Sequence, residues 1–437
     1  EISPKSGTGS TMFQTHRIEQ EFIGWGAYRY KYDKNGNIIS IETGSRNSDA
    51  TIGTGYNNVI SYYYDNLNEL VRENNKYLNQ TITYTYDGAG NITSKDIYAY
   101  TADEITGEPK QSYIYSYNDT EWKDLLTSYN GEEIIYDAIG NPTSYLGSNL
   151  TWKGHQLSSV EKGNTKASYT YDANGLRTTK TVNGTKTYYQ YSGDKLIYQE
   201  TGNKRLYFWY DAFGSLCEVL YDDNGTASAY MVVCNSRGDV ERLYDVTGNL
   251  AARYVYDSWG NVISVVDSSN KQITNQNAIG NVNPIRYRGY YLDSETGYYY
   301  LQSRYYNPQL GRFLNADLIL NTNMFAYCGN NPVMCVDSNG CDFTWTTLFD
   351  IISACIVVDS LFPGFRIPAS ISSSYGSKNS NSHSASASSF SFNSPSISTG
   401  LVIAGATAQA DTPFFGPADV IAILIAIVTV LYCGIIS

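Results

Sequence analysis

Over the first two thirds of the chain, apolar or aromatic positions alternate with polar ones at a period of two, with glycine and asparagine interrupting at short intervals. The segments TITYTYDGAGNITS and ASYTYDANGLRTTKTV show the pattern: runs of Tyr, Thr, Ile and Val flank an Asp-x-x-Gly sequence. Period-two alternation on both sides of such a turn is typical of a β-hairpin. The pattern therefore predicts an all-β region built from consecutive hairpins.

The turn sequence recurs along the chain. Nine copies occur: YDKNGNI from Tyr32, YDNLNEL from Tyr64, YDGAGNI from Tyr86, YDAIGNP from Tyr136, YDANGLR from Tyr171, YDAFGSL from Tyr210, YDDNGTA from Tyr221, YDVTGNL from Tyr244 and YDSWGNV from Tyr256. In each copy we expect Tyr to end a strand, Asp to accept backbone N–H groups of the turn, and Gly or Asn to supply positive φ angles. These are folding roles, so we interpret the repeat aspartates as turn residues.

A single hairpin cannot bury one of its faces, so consecutive hairpins must join edge to edge into a sheet that stacks or curls. The 42 tyrosines favour curling, because a ring packs on apolar neighbours while its hydroxyl reaches water or a polar partner. We therefore predict a continuous, spiralling sheet that forms a shell over residues 1–275.

Charge and cysteine content exclude several classes of function. The net charge of -12 repels a phosphate backbone, so we expect no nucleic acid on the shell. The seven cysteines are odd in number and never form C-x-x-C, which indicates neither a disulfide framework nor a zinc site. We expect no cofactor and no metal, and folding in a reducing cytoplasm before export.

The N-terminal sequence EISPKSGTGSTMFQTHRIEQ has neither the charged nor the apolar region of a signal peptide. Because the sequence also lacks an initiator methionine, we expect it to be a fragment of a longer polypeptide. Nine or ten hairpin units are fewer than a closed shell needs, so we also expect an open portion of a shell or a missing N-terminal part.

Together the YD copies resemble the rearrangement-hotspot (Rhs) or YD-repeat family, which includes bacterial polymorphic toxins, the C component of insecticidal toxin complexes and the teneurins. The resemblance covers about residues 20 to 341. It is most specific at NPIRYRGYYLDSETGYYYLQSRYYNPQLGRFLNADL and FAYCGNNPVMCVDSNG, which resemble the Rhs-associated core, here residues 276–341. The resemblance implies a hollow shell capped by this core, which encloses a variable C-terminal toxin and releases it by self-cleavage.

The family's cleavage centre is an aspartyl-protease-like pair of carboxylates with an arginine nearby. By resemblance, the catalytic residues here are Asp317, which follows the G-R-F motif, Asp337 and Arg304. The same comparison assigns the cleavage site to Gly340, Cys341 and Asp342, with the cut after Cys341. Two carboxylates brought close cannot both ionise, so one can act as acid while the other deprotonates water.

Three departures from the family's motifs leave other interpretations open. Leu318 and Ser338 stand where prolines are usual, and Cys341 replaces a leucine. One alternative is an uncleaved core in which Asp317 and Asp337 are turn residues. Another is a thiol nucleophile at Cys341, although none of His16, His155 and His383 lies near it in sequence.

Beyond Cys341 the composition changes, which marks residues 342–437 as a variable cargo region. It contains only two basic residues and one histidine, too few for an ordinary nuclease. Half of the positions from 370 to 399 are serine, which predicts a flexible tether. The uncharged run VIAILIAIVTVLYCGIIS, residues 420–437, only just reaches bilayer-spanning length. It is either a membrane-inserting, pore-forming element or a hydrophobic segment that precedes a truncated toxin.

The first function class is a shell that encapsulates its own C-terminal toxin segment. Two alternatives to it remain. One is a wall-associated surface protein whose Tyr-rich strips bind cell-surface glycans without processing. The other is membrane contact through residues 420–437. For the toxin interpretation we expect a bacterial protein that is secreted or held at the cell surface. Its expected partners are an immunity protein and secretion or delivery machinery.

Overall fold

The computed structural model describes residues 20–23, 26–45, 57–212, 214–319, 323–341 and 343–345. Several predictions fall on other residues: those for His16, Asp342, the serine-rich tether 370–399 and the apolar tail 420–437 lie outside the described residues. Within the described ranges the secondary structure is almost entirely β, with one four-residue α-helix, α1 (Ile279–Val282). The predicted all-β fold class is confirmed.

Ten strands form the first sheet: β1 Gln20–Ile23, β2 Gly26–Tyr32, β3 Ile38–Ser45, β4 Asn57–Tyr64, β5 Leu70–Asn75, β6 Gln80–Tyr86, β7 Ile92–Ala99, β8 Gln111–Ser116, β9 Ser128–Tyr129 and β10 Glu132–Glu133. Fourteen form the second: β11 Ile135–Tyr136, β12 Pro142–Tyr145, β13 Ser148–Lys153, β14 Gln156–Lys162, β15 Thr165–Tyr171, β16 Arg177–Val182, β17 Thr185–Ser192, β18 Lys195–Thr201, β19 Lys204–Tyr210, β20 Leu216–Asp223, β21 Thr226–Cys234, β22 Val240–Asp245, β23 Leu250–Tyr256 and β24 Val262–Val266. Four short strands make a third sheet: β25 Tyr291–Asp293, β26 Tyr298–Tyr300, β27 Tyr305–Asn307 and β28 Arg312–Phe313. The last two, β29 Cys335–Asp337 and β30 Phe343–Trp345, pair with each other.

The two large sheets are antiparallel meanders in which the strands follow one another in sequence order. Among the described residues the strip is interrupted once, at buried Ile134, whose N–H donates to the Thr127 carbonyl at 2.9 Å. The predicted hairpin-by-hairpin strip is therefore present as two consecutive sheets.

Aspartate side chains close the turns of the repeat as expected. Asp87 Oδ1 accepts the N–H groups of Ala89 at 2.9 Å and Asn91 at 3.0 Å, and Gly90 has φ +77°. The same use of Oδ1 occurs at Asp33, Asp65, Asp137, Asp172, Asp211, Asp222, Asp245 and Asp257. In the copy without glycine, Asn68 takes the left-handed position with φ +65°. The turn interpretation of the repeat aspartates is confirmed.

Several repeat tyrosines join their hairpin to the strand before it. The hydroxyl of Tyr86 donates to the Leu70 carbonyl at 2.6 Å, at the start of β5, and the hydroxyl of Tyr256 donates to the Val240 carbonyl at 2.8 Å. Equivalent bonds run from Tyr64 to Ile38, Tyr117 to Ile92, Tyr171 to Leu157 and Tyr210 to Leu196. The strand register also shifts at these tyrosines, for example between Thr85 and Tyr86. Such bulges increase strand twist, which favours curling.

Residues from the first sheet contact the end of the second. Ser258 donates to Glu73 Oε2 at 2.6 Å, and the rings of Tyr84 and Trp259 lie 5.6 Å apart. The strip therefore bends far enough to bring β4–β6 against the turn between β23 and β24.

The segment 276–341, called the core region below, packs its tyrosines against both large sheets. Tyr299 and Tyr306 are fully buried and donate to the carbonyls of Gly260 at 2.8 Å and Trp259 at 2.7 Å. Tyr115 of β8 donates to the Leu310 carbonyl at 3.3 Å, and the hydroxyls of Tyr171 and Tyr305 are 2.9 Å apart. The short β25–β28 sheet is thus fixed against both large sheets, and it positions the residues described next.

Candidate functional site

The predicted catalytic residues lie in or close to short strands. Arg304 lies between β26 and β27, Asp317 follows β28, and Asp337 ends β29. The tyrosines that flank Arg304 along the chain, Tyr300 and Tyr305, are 5% and 3% exposed. Because their rings pack in the core, the backbone at Arg304 is held in place.

Arg304 brings the two predicted carboxylates together. Its Nη2 lies 2.9 Å from Asp317 Oδ2 and 3.3 Å from Asp337 Oδ2, and all three side chains are buried. Arg304 Nη1 donates to the Met324 carbonyl at 3.0 Å, and its guanidinium lies over the Phe313 ring at 3.6 Å. A single nitrogen thus bridges two carboxylates that lie 20 positions apart in sequence.

The loop with the predicted cleavage site folds back onto this arginine. Arg304 Nε donates to the Gly340 carbonyl, and the Gly340 N–H donates to Asp337 Oδ1 at 2.7 Å. Ser303 donates to the Asn339 carbonyl twice, from its N–H at 3.2 Å and from its hydroxyl at 2.6 Å. The site therefore contacts the backbone of its own predicted substrate.

Gly340 is required for this close approach. Its φ is +78°, and a Cβ here would lie 2.9 Å from the Leu301 carbonyl oxygen and 3.1 Å from the Arg304 nitrogen. Real Cβ atoms essentially never lie 2.9 Å from a backbone oxygen, so glycine is needed for this loop to reach the segment between β26 and β27 that holds Arg304.

Burial raises the pKa of Asp337, while Arg304 and the N–H groups of Gly340 and Asn339 oppose that rise. The nearby charge of Asp317 raises the pKa of Asp337 further. Burial also lowers the pKa of Arg304, against the pull of both carboxylates, but a guanidinium stays protonated at neutral pH. Asp337 therefore retains a proton more readily than an exposed aspartate does. Two carboxyls beside a cation and a peptide group suit acid–base hydrolysis, a reaction in which one carboxyl gives a proton while the other takes one.

The Cys341 thiol contacts the Ser303 hydroxyl at 3.2 Å, and the Cys341 N–H donates to Asn339 Oδ1 at 3.0 Å. Across the described ranges no hydrogen bond joins this sulfur to a histidine. In the same part of the chain, His, Cys, Asp and Glu side chains form no group of three or more that could hold a metal ion.

Sequence reasoning missed four residues that shape the site: Ser303, Asn339, Phe313 and Tyr290. The Tyr290 hydroxyl accepts the Asp337 N–H at 3.0 Å and so fixes the end of β29. Ser303 and Phe313 directly neighbour arginines in the tyrosine-rich stretch, which is the one signal that could have suggested them. No sequence pattern pairs Tyr290 with Asp337.

No helix in the described ranges is long and apolar enough to cross a membrane.

Comparison with known proteins gives consistent matches. The family model of the teneurin YD-shell matches residues 31–336, well over half of the chain. The tRNA nuclease WapA of Bacillus subtilis is 36% identical over 403 residues, which cover 76% of this chain and 16% of that relative. The toxin subunit YenC1 of Yersinia entomophaga is 26% identical over 372 residues, which cover 71% of this chain and 36% of YenC1. The chain thus spans a minor part of the curated relatives it matches.

Among solved structures, the TcdB2-TccC3-Cdc42 crystal structure superimposes with a TM-score of 0.53 at 20% identity and covers 75% of this chain and 17% of that one. The structure of TcdB2-TccC3 without its hypervariable C-terminal region gives a TM-score of 0.55 at 20% identity, with 72% and 17% coverage. At this identity the likeness establishes a shared fold.

Proposed function

Because this chain belongs to the Rhs/YD-repeat toxin family, we propose that its strip of hairpins encloses the segment that follows Cys341 and that its core releases this segment by cutting the chain. In this proposal residues 1–275 are the wall, residues 276–341 carry the cutting site and residues 342–437 are the cargo. The shell is made in the cytoplasm and acts outside the cell or at its surface. An immunity protein and a delivery system are its proposed further partners.

The proposed reaction is hydrolysis of the Cys341–Asp342 peptide bond. Ionised Asp317 takes a proton from water, the water oxygen bonds to the Cys341 carbonyl carbon, and Asp337 gives its proton to the carbonyl oxygen. When the C–N bond breaks, the leaving nitrogen receives the proton held by Asp317, and one hydroxyl returns a proton to Asp337. The products are a carboxylic acid on Cys341 and an amine on Asp342.

One observation carries the proposal: Arg304 contacts Asp317, Asp337 and the Gly340 carbonyl at once. A buried arginine bound to two carboxylates could be structural alone. The additional bonds to Gly340, from Arg304 Nε and to Asp337 Oδ1, hold the acidic pair at the backbone next to the bond to be cut. Holding reacting groups in position lowers a barrier that free groups would have to overcome by chance encounter.

The names of the relatives support the toxin part of the proposal, since YenC1 is named a toxin subunit and WapA a tRNA nuclease. We do not propose for this chain the nuclease activity that the name of WapA states. Residues 342–437 contain only two basic residues and one histidine, which is a poor set for binding and cutting RNA.

Intact mass spectrometry of the full chain after expression tests the proposal. The wild-type chain should give two pieces, one ending at Cys341 and one beginning at Asp342, while Asp317→Asn and Asp337→Asn should each give one uncut chain. The masses also separate this cut from a cut after Gly340, whose carbonyl Arg304 binds.

Asp245→Asn is the matched control. Asp245 is a partly exposed turn aspartate whose Oδ1 accepts two N–H groups, and asparagine keeps that acceptor. The control should be cut like the wild type. A single intact species from a folded wild-type chain, or full cutting of both Asp317→Asn and Asp337→Asn, would refute the proposed mechanism.

A further inference from the structure

The predicted cut falls between two strands that pair with each other. Strand β29 before the cut pairs antiparallel with strand β30 after it, in the register Cys335↔Trp345, Val336↔Thr344 and Asp337↔Phe343. Residues 343–345 of the proposed cargo are therefore paired with β29, a strand that ends before the predicted cut.

The directions of the backbone N–H groups of β29 identify which residue pair exchanges hydrogen bonds with β30. The Cys335 N–H donates to the Asn331 carbonyl at 3.1 Å and the Asp337 N–H donates to the Tyr290 hydroxyl at 3.0 Å, so neither is directed at β30. Antiparallel pairs alternate between bonded and non-bonded residues. Val336 and Thr344 are thus the pair that exchanges backbone hydrogen bonds.

Strand β29 has backbone contacts that do not involve β30. The Cys335 N–H donates to the Asn331 carbonyl and the Asp337 N–H donates to the Tyr290 hydroxyl, so both groups keep their partners without β30. If β30 leaves, β29 remains as an ordered edge with the Val336 N–H and carbonyl available for a new strand.

From these contacts we propose that β29 is a docking strand: after the cut it keeps the new N-terminal segment of the cargo, residues 343–345, bound by antiparallel strand pairing. The inference rests on the proposed function, because it concerns the product of that cleavage. The partner it fits is an extended peptide that begins within two residues of a free amine, and backbone bonds supply the affinity.

Few bonds hold this strand, so retention is reversible. A backbone hydrogen bond contributes modestly in net terms, and three residues cannot by themselves hold a fragment permanently. Cutting and release are therefore separate steps, and the second requires β30 to separate from β29.

The test uses the full chain and compares Thr344→Pro with Thr344→Val. Proline removes the N–H that donates to Val336, whereas valine keeps it together with a branched side chain. Wild type and both variants are also made with a site-specific protease sequence inserted between Cys341 and Asp342, and these chains are cut by adding that protease. Retention can then be measured even if the chain does not cut itself.

Denaturing mass spectrometry reports the cut, and native size-exclusion chromatography over time reports whether the pieces remain together. We expect the Thr344→Pro fragment to leave about tenfold faster than wild type, which corresponds to about 1.4 kcal/mol, and the Thr344→Val fragment to leave at the wild-type rate. Equal release rates for proline and valine variants would overturn the inference. Absence of self-cutting, seen in the mass alone, would instead count against the proposed function.

Discussion

Arg177 Nη1 and Asp293 Oδ2 lie 2.6 Å apart in an ion pair whose two side chains are completely buried. The pair joins β16 of the second sheet to β25 of the core, 116 positions along the chain. The Arg177 guanidinium is also stacked by tyrosine rings, the nearest of them Tyr300 at 4.4 Å. Burial opposes ionisation of Asp293, but Arg177 and Lys180 outweigh it and hold the pKa of Asp293 below its ordinary value.

Loss of this carboxylate should destabilise the junction between sheet and core. We expect Asp293→Asn to reduce the free energy of unfolding by about 3 kcal/mol, because it leaves buried Arg177 without its counterion. Thermal denaturation measures the change. Glu161→Gln is the control, since its ion pair with Lys166 is exposed and should contribute less than about 1 kcal/mol. Equal effects of the two substitutions would show that the buried pair has no special role.

Gly340→Ala should slow self-cutting by at least about tenfold, since the new Cβ would collide with backbone at Leu301 and Arg304 and push the loop off the site. Gly297→Ala is an unusually close control: Gly297 has the same φ of +78° but nothing within 4 Å of its Cβ position. It should cost about 1 kcal/mol of stability and leave the rate unchanged. Cut fraction against time, by mass, separates the two. Similar rates for both variants would contradict the fit described at Gly340.

The stability of the fold should decline from mildly acidic to alkaline pH because of Glu69. Burial raises the pKa of Glu69 from 4.5 to about 7, although a hydrogen bond from Asn330 at 2.8 Å opposes the rise. The folded state therefore binds this proton more tightly than the unfolded state does. Its stabilising effect is complete below pH 4.5 and is lost as pH rises through 7.

Glu69→Gln removes that titration while keeping an oxygen for Asn330. We expect the variant to melt at a higher temperature than wild type at pH 8 and to show a smaller difference between pH 5 and pH 8. The control is Glu133→Gln, at an exposed position of β10, which should change neither value. A wild-type pH dependence retained in Glu69→Gln would assign the effect to other groups.

Tyr86→Phe should lower the free energy of unfolding by about 1 kcal/mol, since it deletes the hydroxyl that binds the Leu70 carbonyl and keeps the ring. Leu70 is fully buried, so its carbonyl would have no ready replacement from water. Tyr188→Phe serves as the control because that side chain is 48% exposed. Chemical denaturation of both variants measures the difference, and an equal, small change in both would indicate that the ring alone matters.

Local features of this protein could be predicted from its sequence because their causes lie within a few positions. An aspartate such as Asp87 accepts N–H groups from residues two and four positions later, so the repeated sequence is enough to predict the turn. Arg304, Asp317 and Asp337 could be named only through resemblance, since nothing local links residues this far apart. Their shared contact at Arg304 Nη2 then appears in the structure.

Other features depend on which strands come together, and the sequence carries no sign of that. Neither Arg177 nor Asp293 stands out in sequence, yet together they form the buried link between sheet and core. The sequence predicted that tyrosine hydroxyls would reach water or a polar partner, but it did not predict which carbonyl each hydroxyl binds. The break at Ile134 has no turn signal of the repeat and was not foreseen.

The order of strands in the two sheets determines the order in which they can pair during synthesis. Each strand pairs with its immediate successor in the chain, so the wall can be built progressively as the ribosome supplies it, with no need to wait for distant segments. The pair at Arg304 is different, because it is incomplete until Asp337 has been synthesised, after every strand of both large sheets. The two large sheets can thus be complete before the last residue of the proposed cutting site has been made.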